Sequence, residues 1–170
     1  MSGHASSVKD YLRRHSESAF VALWDQVKEL SDAQSWWRPE VRNEVDYVHT
    51  TGSILGIILH VASCKEMYRE YAFGAARLSW QDMIEVARKH EPQVEACRGW
   101  LKEAHERWID SWKDLADADL SAPRKTNWGE EKPTEWIISA MMGHNPDLTY
   151  QPETELWVRW RDMVERTRTM

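Results

Sequence analysis

The sequence predicts an all-α fold, an antiparallel four-helix bundle with short additional helices. Apolar residues recur at intervals of three and four over long stretches, and no stretch alternates apolar and polar residues as a half-buried strand does. Most connections between these stretches are short, which favours antiparallel packing of successive helices. A chain of 170 residues can bury a core without cross-links, so we expect one domain over residues 1–170.

Four long helices follow from this spacing. The second has a threonine, Thr50 or Thr51, as its expected cap and Gly74 as its stop. The fourth must end or kink by Asn145, because Pro146 lacks a backbone donor and clashes with the preceding turn. The expected long helices cover residues 7–30, 50–73, 92–115 and 133–145.

Shorter helices and polar segments account for the rest of the chain. Ser79 followed by Asp82 is typical of a helix start, and Pro152 is expected to open a last helix. Residues 39–50 and 117–132 are polar and lack a helical apolar stripe, so we expect both to be loops.

Charge and hydropathy exclude several classes of partner. The formal net charge of -6 argues against nucleic acid and against an anionic membrane surface, since either needs a basic patch. No apolar run approaches the roughly 18 residues that span a bilayer. The first residues lack the apolar core of a secretory signal, so we expect a cytoplasmic protein.

The cysteines and tryptophans indicate how the interior and the surface of the protein are built. Cys64 and Cys97 form no CxxC pair and are expected to be buried thiols, although His60, one turn before Cys64, could lower the pKa of that thiol. Eleven tryptophans against two phenylalanines indicate either ordinary aromatic packing or an interface between two copies of the chain.

His60 is the residue most suggestive of a site. It lies in the middle of the second long helix on the face expected to point inward, with Gly56 and Cys64 one turn away on either side. An inward imidazole needs a partner for each ring nitrogen. A metal, a carboxylate or a backbone carbonyl would each satisfy it, so a structural core histidine and a metal ligand are both open.

His144 lies on the inward face of a different helix, and two such histidines commonly begin a metal site in a bundle. Asp147 follows three residues later and would share that face in a continuing helix; alternatively it is a turn residue after Pro146. His105 belongs to an apolar stripe and is expected at its edge, with the core as the alternative. His49 is expected in an exposed loop.

Three segments carry a family resemblance. The helix over residues 52–68 has a small residue followed by Ile-Leu-Gly before its histidine. The segment 100–120 ends in a short acidic stretch, and the helix 133–145 carries His144 in its last turn. In order and spacing they resemble the second, third and last core helices of the DinB/YfiT-like superfamily of small helical bundles. The resemblance implies the same fold and a homodimer.

The same resemblance implies a divalent metal, zinc or nickel, held by three histidines. His60 matches the first ligand and His144 the second, whereas Leu148 stands at the third position and cannot bind a metal. Asp147 could replace the missing ligand one residue early, or water could complete a weak site. A third alternative is that the metal site has been lost, so that His60 and His144 no longer bind a metal.

Two functions therefore remain. One is a bundle of unassigned activity with a degenerate or absent metal site, which binds a small molecule or a partner subunit; Leu148, Pro146 and the tryptophan excess favour it. The other is a metal-dependent enzyme of the thiol-dependent transferase or isomerase kind, which the resemblance implies if the site around His60 and His144 is intact.

Overall fold

The computed structural model describes residues 7–37, 53–91 and 93–144, with the backbone alone at His144. In these ranges the regular secondary structure is helical apart from one small hairpin, which confirms the all-α prediction. The helices are α1 (Val8–Val27), α2 (Asp32–Ser35), α3 (Ile54–Phe73), α4 (Trp80–His90), α5 (Val94–Asp110) and α6 (Thr134–His144). A 3-10 helix (Asp117–Ser121) and the strands β1 (Pro123–Lys125) and β2 (Glu131–Pro133) lie between α5 and α6.

The bundle consists of α1, α3, α5 and α6. Helix α3 packs most extensively on α5, α6 packs on both α1 and α3, and α1 closes the ring against α5. The shorter α4 covers α5 and part of α3. This arrangement confirms the predicted helical bundle, while the expected single domain over residues 1–170 stays a prediction.

Serine hydroxyls fix where two of the helices begin. The Ser53 side chain accepts a hydrogen bond from the Gly56 backbone N–H at 3.0 Å, and its own backbone is extended, so α3 begins at Ile54. The expected cap at Thr50 or Thr51 is therefore wrong. Ser79 and Asp82 form a reciprocal capping box at the start of α4, which confirms the predicted helix start.

Residues 117–132 are not the plain loop that the sequence predicts. After the 3-10 helix, Arg124 of β1 pairs with Lys132 of β2 in an antiparallel hairpin. Gly129 closes the turn with a φ of 89°, and the Thr126 N–H donates to the Glu130 carbonyl at 2.9 Å. Strands of three residues are too short to show an alternating pattern, which is why the sequence does not reveal them.

The core lies around α3, of whose twenty residues fourteen are buried. One apolar cluster joins α3 to α1 and α5, and a second joins it to α5 and α6. Both Cys64 and Cys97 are buried free thiols, as predicted. The sequence predicts one inward face of α3, but the structure buries residues on nearly every side of this helix. The reason is that α3 is enclosed by three long helices and α4.

Two findings bear on the remaining expectations. None of the helices in the described ranges is long and apolar enough to cross a membrane. The expected loop 39–50, with His49, and the expected last helix from Pro152 lie outside the described residues, as do Asp147 and Leu148.

Candidate functional site

Helix α3 places His60 beside a buried thiol. The His60 side chain is half-buried, and its Nε2 lies 3.4 Å from Sγ of Cys64, one turn further along the helix. Burial raises the pKa of the Cys64 thiol to about 12, and the nearby Lys65 offsets only part of this effect. The idea that His60 lowers the pKa of this thiol is therefore wrong, because desolvation of the thiolate dominates.

The hairpin shows how α6 runs past α3. Nε of Arg124 donates to the Thr134 hydroxyl at 3.2 Å, and the same guanidinium lies 5.3 Å from the ring centre of Phe73. The start of α6 therefore lies beside the end of α3. Two residues into α6, Trp136 contacts Trp128, which also contacts Tyr68, with ring centres 6.0 and 5.8 Å apart. The two helices are thus antiparallel.

Of the predicted metal ligands, the structure describes His60 in full and His144 by its backbone alone, as the last residue of α6. Because α3 and α6 are antiparallel, the first half of α3, which contains His60, lies toward the end of α6 at which His144 stands. Among the side chains that the structure describes, no three His, Cys, Asp or Glu groups come together as a metal site.

A second polar cluster lies between α1, α3 and α5. Its central residue, Lys65 of α3, is completely buried, and its Nζ has no hydrogen-bond partner among the described residues. This nitrogen lies 5.9 Å from the ring centre of Phe20 on α1. Burial lowers the pKa of Lys65 to about 7, although Cys64 and Glu17 act in the opposite direction.

His105 of α5 faces the same phenylalanine. Its ring stacks on Phe20, with centres 3.9 Å apart and planes 5° apart, and only 3% of the residue is exposed. The sequence predicts His105 at the edge of the apolar stripe, but this stacking holds it inside. Nε2 lies 3.2 Å from the Glu17 carboxylate.

The protonation state of His105 follows from its surroundings. Burial, with a contribution from Lys65, lowers its pKa to about 3, although the Glu17 carboxylate lies within hydrogen-bond distance. The ring is therefore neutral near pH 7. A carboxylate only accepts hydrogen bonds, so Nε2 carries the proton and donates it to Glu17, which leaves a lone pair on Nδ1. This Nδ1 is buried and without a partner in the part of the chain described.

Ser16 of α1 adds a third buried polar atom of this kind. Its hydroxyl oxygen, like Nζ of Lys65 and Nδ1 of His105, has no hydrogen-bond partner among the described residues. Native proteins leave few buried polar groups unsatisfied, and such groups often indicate a functional role or bound water. We refer to Ser16, Glu17, Phe20, Lys65 and His105 as the Lys65 cluster.

Glu66, the residue after Lys65, is also buried, but its carboxylate has hydrogen-bond partners. Its Oε1 accepts a hydrogen bond from Nε of Arg107 at 2.7 Å, and its Oε2 accepts one from Nε of Arg69 at 3.1 Å. These charge-assisted contacts connect α3 to α5 and satisfy the carboxylate. The sequence reasoning identified neither Lys65 nor Glu66; the available signal was a pair of charges inside the apolar run from Ile54 to Met67.

A protein-family model matches most of this chain. The model of the DinB superfamily matches residues 15–146, which is more than three quarters of the chain and includes most of α1 and all of α3, α5 and α6. No curated protein matches this sequence.

Proposed function

Since this chain belongs to the DinB superfamily, we propose that it is a bundle of unassigned activity that binds a small molecule at the level of His60, between α3 and α6. A divalent metal ion, zinc or nickel, is held weakly at the same place. The observation that carries the proposal is the contact of His60 with Cys64, whose sulfur belongs to the apolar cluster completed by Ile137, Ile138 and Met141 of α6.

The proposed ligands have the donor chemistry that such a metal needs. His60 offers an imidazole on α3, and His144 would offer a second as the last residue of the antiparallel α6. Asp147 is the proposed third ligand, because imidazole and carboxylate groups both bind zinc and nickel. The protonated Cys64 thiol does not compete with them as a thiolate. A metal bound here would lower the pKa of a bound water or thiol.

Binding is favoured over catalysis because of the ligand set. Leu148 stands where the third family histidine is expected, so the metal has fewer strong ligands. A transferase or isomerase of the thiol-dependent kind would need a complete site and a thiol from its substrate.

The expected homodimer and cytoplasmic location belong to the same proposal. Trp36, Trp128 and Trp136 are each more than a third exposed, and large aromatic side chains of this kind are enriched at protein interfaces. Sedimentation equilibrium of the full chain tests the dimer: we expect twice the 20.0 kDa mass of one chain.

Zinc titration of metal-free protein tests the proposed site. We expect one weak site per chain, and His60→Ala or His144→Ala should weaken zinc binding at least about 10-fold, as loss of a ligand or its support usually does. His15→Ala, which changes an exposed histidine of α1, is the matched control and should bind zinc as the wild type does. Zinc binding that is unaffected by His60→Ala would rule out the site. Tight, stoichiometric metal in protein purified without chelator would favour the enzyme.

A further inference from the structure

The Lys65 cluster is separate from the proposed metal site and has no role in it. Its residues come from α1, α3 and α5, whereas the proposed metal site lies between α3 and α6. Three of its buried polar atoms have no hydrogen-bond partner among the described residues, and each comes from a different helix. A bundle that needed only an apolar core here would gain nothing from these groups.

We infer that Lys65 is a carbonyl-reactive amine, which forms a reversible imine with a small aldehyde or ketone inside the bundle. The inference does not depend on metal binding at His60, so either can fail alone.

The surroundings of Lys65 favour the neutral, nucleophilic amine. Nζ is fully buried, faces the Phe20 ring and lacks a carboxylate within hydrogen-bond distance. Lysines desolvated in this way are the ones that react with carbonyl groups. The titratable groups that act on it are Cys64 of its own helix, Glu17 of α1 and His105 of α5, and its pKa of about 7 agrees with this geometry.

Exposed lysines of the same chain show the contrast. Lys113 lies 2.7 Å from the Asp110 carboxylate, which raises the pKa of that lysine and keeps it protonated. A protonated amine has no lone pair with which to attack a carbonyl carbon. Near neutral pH, Lys65 therefore differs from the surface lysines in charge state as well as in position.

Imine formation at Lys65 needs no proton donor or acceptor beyond the two reacting groups. The Lys65 lone pair attacks the carbonyl carbon, and the electron pair of the C=O bond moves to oxygen. The positively charged nitrogen of the adduct passes one proton to this oxygen. Hydroxide then leaves as the C=N bond forms and takes the remaining proton of the nitrogen as water, so no oxidant or reductant is needed.

Glu17 indicates how a small molecule reaches the cluster. Half of its side chain is exposed, yet its carboxylate is 3.2 Å from the buried His105. The cluster therefore approaches the surface at Glu17, between α1 and α5. A short-chain aldehyde or ketone is the proposed ligand, because a larger molecule would have to separate the helices to reach the fully buried Nζ of Lys65.

Reductive trapping tests the inference on the full-length wild-type protein. The protein is incubated with acetaldehyde and cyanoborohydride at pH 7.4, and ethylated lysines are quantified by peptide mass spectrometry. We expect Lys65 to be modified at least about 10-fold faster than exposed Lys102, since a pKa near 7 gives far more neutral amine than the usual 10.4. Modification that follows surface exposure, with Lys65 unmodified until the chain is unfolded in urea, would overturn the inference.

One variant separates the burial of Lys65 from the imidazole beside it. His105→Phe keeps a ring against Phe20 but removes the imidazole, and we expect Lys65 to remain at least about 10-fold faster than Lys102, because burial of its Nζ is retained. Modification of Lys102 in the same sample is the internal control for folding and reagent. A rate at Lys65 that falls to the rate at Lys102 would contradict desolvation as the cause of its reactivity.

Discussion

Lys65 and Glu66 are consecutive residues of α3, and both are buried, but their surroundings are opposite. Glu66 accepts hydrogen bonds from Arg69 and Arg107, so its charge is balanced inside the protein. Lys65 has no hydrogen-bond partner among the described residues and faces an aromatic ring. The helix turns by about 100° between them, which directs one side chain to the arginines and the other to Phe20.

This difference distinguishes Glu66, a buried charge with a structural role, from Lys65, a buried amine that could react. A buried charge that is fully paired holds two helices in register and has little reason to react. A buried amine without a partner costs stability in its charged form, and it persists only if the surrounding packing is strong enough to hold it. Such unsatisfied groups are a reasonable place to search for function in a bundle whose activity is unassigned.

The largest expected effect is at the paired carboxylate. Glu66→Ala removes the charge-assisted hydrogen bonds from Arg69 and Arg107, and we expect the free energy of unfolding to fall by about 3 kcal/mol. Urea denaturation measures it. Glu103→Ala, which removes only the exposed partner of Arg107, should cost less than about 1 kcal/mol. Equal losses in the two variants would contradict the structural role of Glu66.

The neighbouring lysine should behave in the opposite way. Lys65→Met removes a buried amine, and we expect the free energy of unfolding at pH 6 to rise by about 2 kcal/mol. The folded pKa of about 7 lies below the unfolded value, so the cost of burying the charge is full below pH 7 and declines as the pH rises toward 10.5. The gain should therefore be smaller at pH 9. Destabilisation at both pH values would contradict this interpretation.

His105 gives the smallest of the three effects. Its folded pKa of about 3 lies below the usual histidine value of 6.5. As the pH falls between these two values, the unfolded chain takes up a proton at this histidine and the folded chain does not. We expect wild-type stability to decrease over this range, and His105→Phe to reduce the decrease by about 1–2 kcal/mol. Urea denaturation at pH 7 and pH 4 measures the difference, with His15→Phe as the exposed control. Parallel pH profiles of the wild type and His105→Phe would disagree with a buried neutral imidazole.

Part of the candidate site could be predicted from local spacing. His60 stands out because it interrupts an apolar helix, and Ser79 with Asp82 marks a helix start because a capping box involves residues only three apart. Lys65 could not be assigned to the interior in the same way. A lysine in an amphipathic helix is normally expected on the solvent side. Lys65 is buried because α3 is surrounded by other helices and has almost no solvent side.

The sequence by itself determined the helical class, the long helices and the prominence of His60, because these depend on residues within a few turns of one another. Tertiary structure alone decided which helices touch, and with that the packing of α6 against α3. It also brought Glu17, Lys65 and His105 together from positions far apart in the chain. Their burial and altered pKa values depend on helices that a local pattern does not describe, and desolvation is a property of the assembled core.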